Sequence, residues 1–334
     1  MKKEFLDKKA IECIQLIKSI DYNALNISEY NTLYINKLTE NIEYYFNIYK
    51  ETVLLLEVEV ESKSSSFIID FGGGHGFLSL FLKSLGLNVI YCDKNPLSAD
   101  TVTKIKQKIN IGPDVIIEGS IPELLTFCQK NNIKPNYLIA TDLIEHIFDL
   151  NVFFGNLIHL NSEIKMVFTT GSNPYNYLKA QKLYKMMRYE ENTYHLPKRL
   201  QYITQNYSDL SNDEIKILAK VTRGYTFGLI DNAILIYKTK KELPKEIEAY
   251  NTCNPETGEW EERILNFRRY RQIVNNINFR VTFHNGFYNT IRNNLIIGLI
   301  MHFLNLLIKS SSYFGRYLAP YIILKIYPIL KKNN

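Results

Sequence analysis

The chain has 334 residues, of which 40 are Lys or Arg, 34 are Asp or Glu and 46% are hydrophobic. That length allows a sizeable core and predicts one domain of roughly 200 residues with extensions. Its four cysteines, Cys13, Cys92, Cys128 and Cys253, are scattered without metal-ligand or disulfide spacing, which excludes a disulfide framework and predicts a reducing cytoplasm. The opening Met1-Lys2-Lys3-Glu4 leads into a mixed-charge amphipathic helix and not a signal peptide. Tyr30, Leu33, Tyr34, Ile42, Tyr45 and Phe46 then recur at roughly helical spacing. Residues 1–62 are therefore read as helical, with this stripe as core and ligand contact by Tyr30 or Tyr34 as the alternative.

Phe67-Ile68-Ile69 is a short apolar run between Ser64-Ser65-Ser66 and a glycine cluster, as a central parallel strand buried on both faces requires. It ends in Asp70, and Gly72, Gly73, Gly74 and Gly76 follow. Glycines turn the chain sharply and bring bare N–H groups against a ligand, and a helix opens at Phe77. A dinucleotide loop needs a small residue at the third position of its motif, but counting from Gly72 that position is Phe77. The spacing is instead D-x-G-x-G-x-G, which resembles motif I of class I S-adenosylmethionine-dependent methyltransferases. That resemblance implies a Rossmann-like α/β fold, with a seven-stranded, mostly parallel sheet whose last strand is antiparallel. It also implies S-adenosylmethionine as cofactor, Asp70 and the glycines near its aminoacyl end, and the N-terminal helices as a lid.

The following strands fit this pattern. Leu87 to Asp93 reads as strand two, ending in an acid where such folds place the acceptor for ribose hydroxyls, with Lys94 beside it. Before Asn95-Pro96, the same Asp also suits a turn or helix cap. Asp114 to Ser120 reads as strand three, with Gly119 and Ser120 where the family flanks the adenine; many members carry Asp in place of Ser120. Asn136 to Asp142 is strand four. Asp142-Leu143-Ile144-Glu145-His146 behind it resembles the D-x-x-E-H signature of small-molecule methyltransferases, including the quinone-biosynthesis type. The resemblance places Asp142, Leu143 and Glu145 at the cofactor and makes His146 a candidate base, since imidazole titrates near neutrality. A histidine at a helix start also serves packing alone. Glu145 and His146 supply two metal ligands, too few for a metal centre, so none is expected.

Ile164 to Thr170 is strand five. Tyr175 to Lys179 and Tyr194 to Lys198 match Y-x-x-x-K, as chance allows in a chain with 24 tyrosines. Trp260 to Asn276 reads as a helix, Asn278 to His284 as strand six, and Tyr321 to Tyr327, between two prolines, as strand seven. Residues 63–170 and 259–334 are then the two parts of the Rossmann-like domain, and 171–258 is an insertion at the ligand edge, where specificity belongs. It holds His195, the second candidate base.

From residue 263 onward the chain has 11 basic and no acidic residues, whereas residues 1–262 carry a net −5. Within this basic tail, Leu295 to Ile308 is apolar except for His302 and Asn305, too short to span a bilayer, which takes about 20 apolar residues. With Arg292, Lys309, Arg316, Lys331 and Lys332 nearby, residues 288–316 suit a membrane-surface contact, a face packed on the sheet, or an interface between copies. So apolar a helix argues against nucleic acid as the partner of this charge. The reading is a methyltransferase acting on a small or lipid-linked acceptor, most readily at a hydroxyl. Two alternatives stay open: a nicotinamide-dependent sugar or alcohol oxidoreductase, and a noncatalytic cofactor-binding membrane scaffold.

Overall fold

Seven strands form one sheet in a computed structural model that describes residues 1–58, 66–246, 250–291 and 294–329. They are β1 (Phe67–Phe71), β2 (Asn88–Asp93), β3 (Val115–Glu118), β4 (Tyr137–Thr141), β5 (Lys165–Thr170), β6 (Phe279–Asn285) and β7 (Ile322–Pro328). The spatial order is β3-β2-β1-β4-β5-β7-β6. Neighbours from β3 to β5 run parallel, while β7 is antiparallel both to β5, with Phe168 opposite Leu324, and to β6, with Val281 opposite Ile326. The order reverses between β1 and β4, so their carboxyl ends open the crevice where ligands bind in such sheets. This is the fold expected from the sequence.

The central strand runs are largely apolar because successive side chains enter two different cores. Ile68, Val89, Ile139, Val167 and Ile323 pack under helices Lys3–Lys18, Ile42–Leu56 and Phe77–Ser84. Their neighbours Ile69, Ile90, Leu138, Phe168 and Leu324 pack under helices Ile121–Lys130, Leu150–Leu160 and Phe267–Asn275. Each such side chain contributes about 1.5–3 kcal/mol when fully buried, and the period of two divides them between the layers.

Three sequence expectations change. The helix expected from Trp260 begins only at Phe267, capped by Asn266. Residues 250–265 form an irregular strap, because the turn at Asn254 to Gly258 bridges Cys253 to Trp260 and spends the local hydrogen bonds there. The Tyr30, Leu33 and Tyr34 part of the N-terminal stripe is exposed, whereas Ile42 and Phe46 are buried; the core face of helix Glu29–Thr39 is Asn31 and Ile35. Finally, helix Leu295–Ser310 does not lie on the sheet: Ile308 is its one buried residue. Asn305 pins that helix through paired hydrogen bonds with the backbone of Tyr288. Arg292, Lys331 and Lys332 lie outside the described residues. No helix among the described residues is long and apolar enough to cross a membrane.

After β5 the chain forms helices Tyr177–Glu190, Leu196–Asn206, Asn212–Val221 and Phe227–Lys240, with a small apolar cluster around Ile203, Leu218 and Ile230. A π-helical turn, Glu191–His195, joins the first two. There the fully buried Arg199 donates to Glu191 at 2.5 Å and to the Ala219 carbonyl at 2.9 Å, while Thr252 of the strap donates to Glu191 at 2.6 Å. The ion pair thus ties two helices to the strap.

Candidate active site

The glycine loop is held in shape by β2. Gly72 N–H donates to the Cys92 carbonyl at 2.7 Å, Gly74 N–H to Asp93 Oδ2 at 2.9 Å, and the Tyr91 hydroxyl to the Gly74 carbonyl at 2.5 Å. Gly72 and Gly76 have φ of +67° and +76°, where a side chain is strained. Gly73 is required by space instead, since a Cβ there would come within 2.8 Å of Asp70 Oδ2 and of the Tyr91 ring.

Asp70 lies beneath the loop and not on its open side. Its carboxyl is 1% exposed, accepts from Ser79 Oγ at 2.7 Å, and is pushed up to about 7 by burial, against the Ser79 hydrogen bonds. Asp93 is half-buried at the end of β2 and also accepts from Asn95 N–H at 2.8 Å, so it serves the loop and the turn together. Each carboxylate oxygen has a second lone pair for a ligand hydroxyl. Lys94 is exposed and pairs with Glu259 of the strap. Gly119 N–H donates to the Asp93 carbonyl at 2.8 Å, which sets β3's exit beside β2's. Ser120 gives both its N–H and its hydroxyl to Glu123, capping the next helix.

A cavity of about 170 Å³ opens at the reversal of strand order, lined by Gly72 to His75, by Thr141, Asp142 and Thr169, and by Tyr34, Tyr45 and Tyr49 from the N-terminal helices. Those helices therefore cover the crevice. The sequence did not single out Asn31, which is buried, bonds His75 Nε2 at 3.2 Å and donates to Thr101 at 2.8 Å. Tyr34 packs tilted against the His75 ring, centroids 4.6 Å apart, and burial pushes that imidazole down to about 4, so it is neutral. A polar residue on the inward face of a tyrosine-rich helix was the available signal.

Beyond the cavity, the turn after β4 meets the strap. Asp142 takes φ +49°, and Leu143 packs on Gly72, where an added Cβ would lie 2.8 Å from it. Glu145 is 2% exposed; one oxygen accepts from Gly171 N–H at 3.2 Å. Burial first, then the Asp142 and Glu262 charges, push its carboxyl well above the usual range, and burial with Glu262 raises Asp142. His146 Nδ1 lies 2.9 Å from the Trp260 carbonyl. A carbonyl only accepts, so Nδ1 carries a proton, and in the neutral ring the lone pair is on Nε2. Trp260 N–H and Arg263 N–H return bonds to the carbonyls of His146 and Glu145.

His195 meets the strap at Glu261, beside Trp260 and Glu262. It is 4% exposed on the π-helical turn, with Nε2 donating to Glu261 at 2.8 Å. The strap residues Trp260, Glu261 and Glu262 are the functional candidates that sequence reasoning passed over, because their partners lie far away in the chain.

A model of the tellurite resistance protein TehB family, which is a family of S-adenosylmethionine-dependent methyltransferases, matches residues 36–117, from the covering helices through β3. Over these residues the chain is similar to S-adenosylmethionine-dependent methyltransferases. Among solved structures, a magnesium protoporphyrin IX methyltransferase from Synechocystis PCC 6803 with bound SAH aligns at 12% identity over 87% of each chain, with a TM-score of 0.37. A SAM-dependent methyltransferase from Archaeoglobus fulgidus aligns at 12% identity over 85% of this chain and 99% of its own, with a TM-score of 0.35. For a putative SAM-dependent methyltransferase from Streptococcus mutans the values are 7%, 42% and 38%, with a TM-score of 0.31, so the match spans well under half of that protein. These overlays are loose, and the likeness rests on strand order, loop geometry and the family match. No curated protein sequence matches the chain.

Proposed function

We propose that this protein is an S-adenosylmethionine-dependent methyltransferase that moves the sulfonium methyl of its cofactor to a hydroxyl of a small-molecule, sugar or lipid-linked acceptor. The observation that carries the reading is the turn after β4. Asp142 lines the cofactor cavity there, and His146, in the same turn, is fixed through Nδ1, which places the lone pair of the neutral ring on Nε2. An acceptor hydroxyl needs a group that makes its oxygen a better nucleophile, and this lone pair is one. In the reaction the O–C bond forms as the C–S bond breaks, the electron pair returns to sulfur, and the hydroxyl proton leaves. Holding acceptor and methyl in line supplies much of the acceleration.

In this reading the backbone of Gly72, Gly73, Gly74 and Gly76 follows the aminoacyl end of the cofactor, and Asp93 takes the ribose hydroxyls beside Lys94. Gly119 and Ser120 flank the adenine. Leu143 and Asp142 close the site from β4, and Asp70 positions the loop from below. Residues 171–258 shape the acceptor pocket, and 1–62 form the cover. Calorimetry with S-adenosylhomocysteine and with NAD is the first test: binding of NAD and none of the homocysteine nucleoside defeats the reading. Labelled-methyl transfer into a cell extract is the second, with a methyl ether as the expected product and an unlabelled extract as the adverse result.

Helix Leu295–Ser310 suits contact with an anionic membrane surface on the cytoplasmic side. Leu295, Leu299 and Phe303 are 80%, 71% and 60% exposed, with Lys309 at the helix end. An apolar helix face beside basic residues binds such surfaces by burial and charge together. Co-sedimentation with phosphatidylserine vesicles, lost in Leu299→Glu/Phe303→Glu, is expected. Dimerisation without vesicle binding would assign the face to a second copy.

A further inference from the structure

Glu145, His146 and Glu262 each bring one ligand atom within 4.8 Å of the others. The first two leave β4 on one turn, and the third arrives on the strap from beyond the helical insertion. The chain thus supplies the third ligand that the Glu-His pair lacks in sequence.

Each of the three is oriented by hydrogen bonding and has a second possible ligand atom. Glu145 Oε1 accepts from Gly171 N–H, while Oε2 is buried with no hydrogen-bond partner among the described residues. His146 spends Nδ1–H on the Trp260 carbonyl and keeps Nε2. Glu262 Oε2 accepts from Ser172 Oγ at 2.6 Å. Outer hydrogen bonds to carbonyls, amides and hydroxyls that fix ring tautomer and carboxylate direction are the usual second layer of a metal site. A buried carboxylate oxygen with no partner is costly unless something positive faces it. The second acidic cluster, Glu190, His195 and Glu261, differs: its histidine and Glu261 already bond each other at 2.8 Å.

We propose that Glu145, His146 and Glu262 bind a divalent first-row metal ion that holds the acceptor oxygen for methyl transfer. Two carboxylates and an imidazole suit Mn²⁺, Fe²⁺ or Zn²⁺ better than Ca²⁺, which takes six to eight oxygens. This deepens, and rests on, the reading of the acceptor as a hydroxyl. The lone pair of His146 Nε2 then goes to the metal, not to the proton. Coordination lowers the pKa of the bound hydroxyl, its proton passes to solvent water, and the resulting alkoxide attacks the methyl. The strap would act as a sensor: only with residues 250–265 docked is the ligand set complete.

The test uses the full chain, freed of metal by chelation, with Mn²⁺ as probe, read by electron paramagnetic resonance and calorimetry. One ion per chain is expected, with affinity at least tenfold weaker in Glu145→Gln and in Glu262→Gln, and weakened by a smaller factor in Ser172→Ala. Circular dichroism and S-adenosylhomocysteine binding are measured on the same samples. If the homocysteine nucleoside binds and Mn²⁺ does not, or if folded Glu262→Gln binds Mn²⁺ like the parent, the metal site is overturned while the methyltransferase reading stands. Loss of nucleoside binding in the parent protein overturns that reading instead. Should Glu145→Gln fail to fold, Glu262→Gln and Ser172→Ala carry the test, since Glu262 is only half-buried.

Discussion

The two sides of the crevice are built differently. On the cofactor side the shaping contacts are backbone to backbone or nearby in sequence: Gly74 bonds Asp93, 19 positions on, and Gly72 bonds Cys92. On the strap side they are long-range: Ser172 meets Glu262 across 90 positions and His146 meets Trp260 across 114. One side is a local motif repeated by one strand-loop-helix unit, and the other exists only after the insertion has folded back. A site of the first kind is set by spacing; a site of the second kind is set by assembly.

The comparison breaks most severely if the sheet itself is opened. Ending the chain after Tyr288 removes β7, which lies between β5 and β6, and no folded protein should remain by circular dichroism. A soluble truncation that still binds S-adenosylhomocysteine would mean that the cofactor side stands without the sheet's far half. Next, Arg199→Ala leaves Glu191 buried without its cation, which costs about 3–5 kcal/mol in such pairs. Chemical denaturation should report that loss, and the contrast sharpens if acceptor turnover falls further than cofactor affinity. Equal losses on both sides would dissolve it.

Asp70 tests the cofactor side by pH. Folded, it holds its proton up to about 7; unfolded, it releases it near 4. The folded state therefore binds more protons across that window, and stability falls as pH rises through it, by about 3–4 kcal/mol. Asp70→Asn should match the parent near pH 4 and exceed it at pH 8 in denaturant midpoint. Identical pH profiles would show that Asp70 is not held protonated by the fold. Asp93→Ala should weaken S-adenosylhomocysteine binding by about 1–3 kcal/mol, the range for a lost charged hydrogen-bond partner. Unchanged affinity in calorimetry would remove Asp93 from the ribose.

What could be read from the sequence follows the same division. All seven strands are legible, six as largely apolar runs bounded by turn residues and β6 by its alternation, and the glycine loop because strain and close approach permit no other residue. In the N-terminal cover, Tyr34 follows the alternative reading and lines the cavity instead of the core, while Tyr30 is exposed, since periodicity marks an apolar stripe without saying which side of the helix faces the protein. The strap was read as helix because Trp260 to Asn266 has helical composition, and only tertiary partners pull it straight. Glu262 and Asn31 were invisible for a related reason: a polar residue's purpose is set by the atom opposite it, and spacing does not report that atom.

The place of β7 has a consequence for biosynthesis. While the ribosome is still adding residues 286 to 321, β5 presents an unpaired backbone edge and β6 has no neighbour to join. Such edges invite pairing with other chains. The nascent protein holds its glycine loop early and its complete sheet last, so the interval before β7 emerges is when it most needs a chaperone.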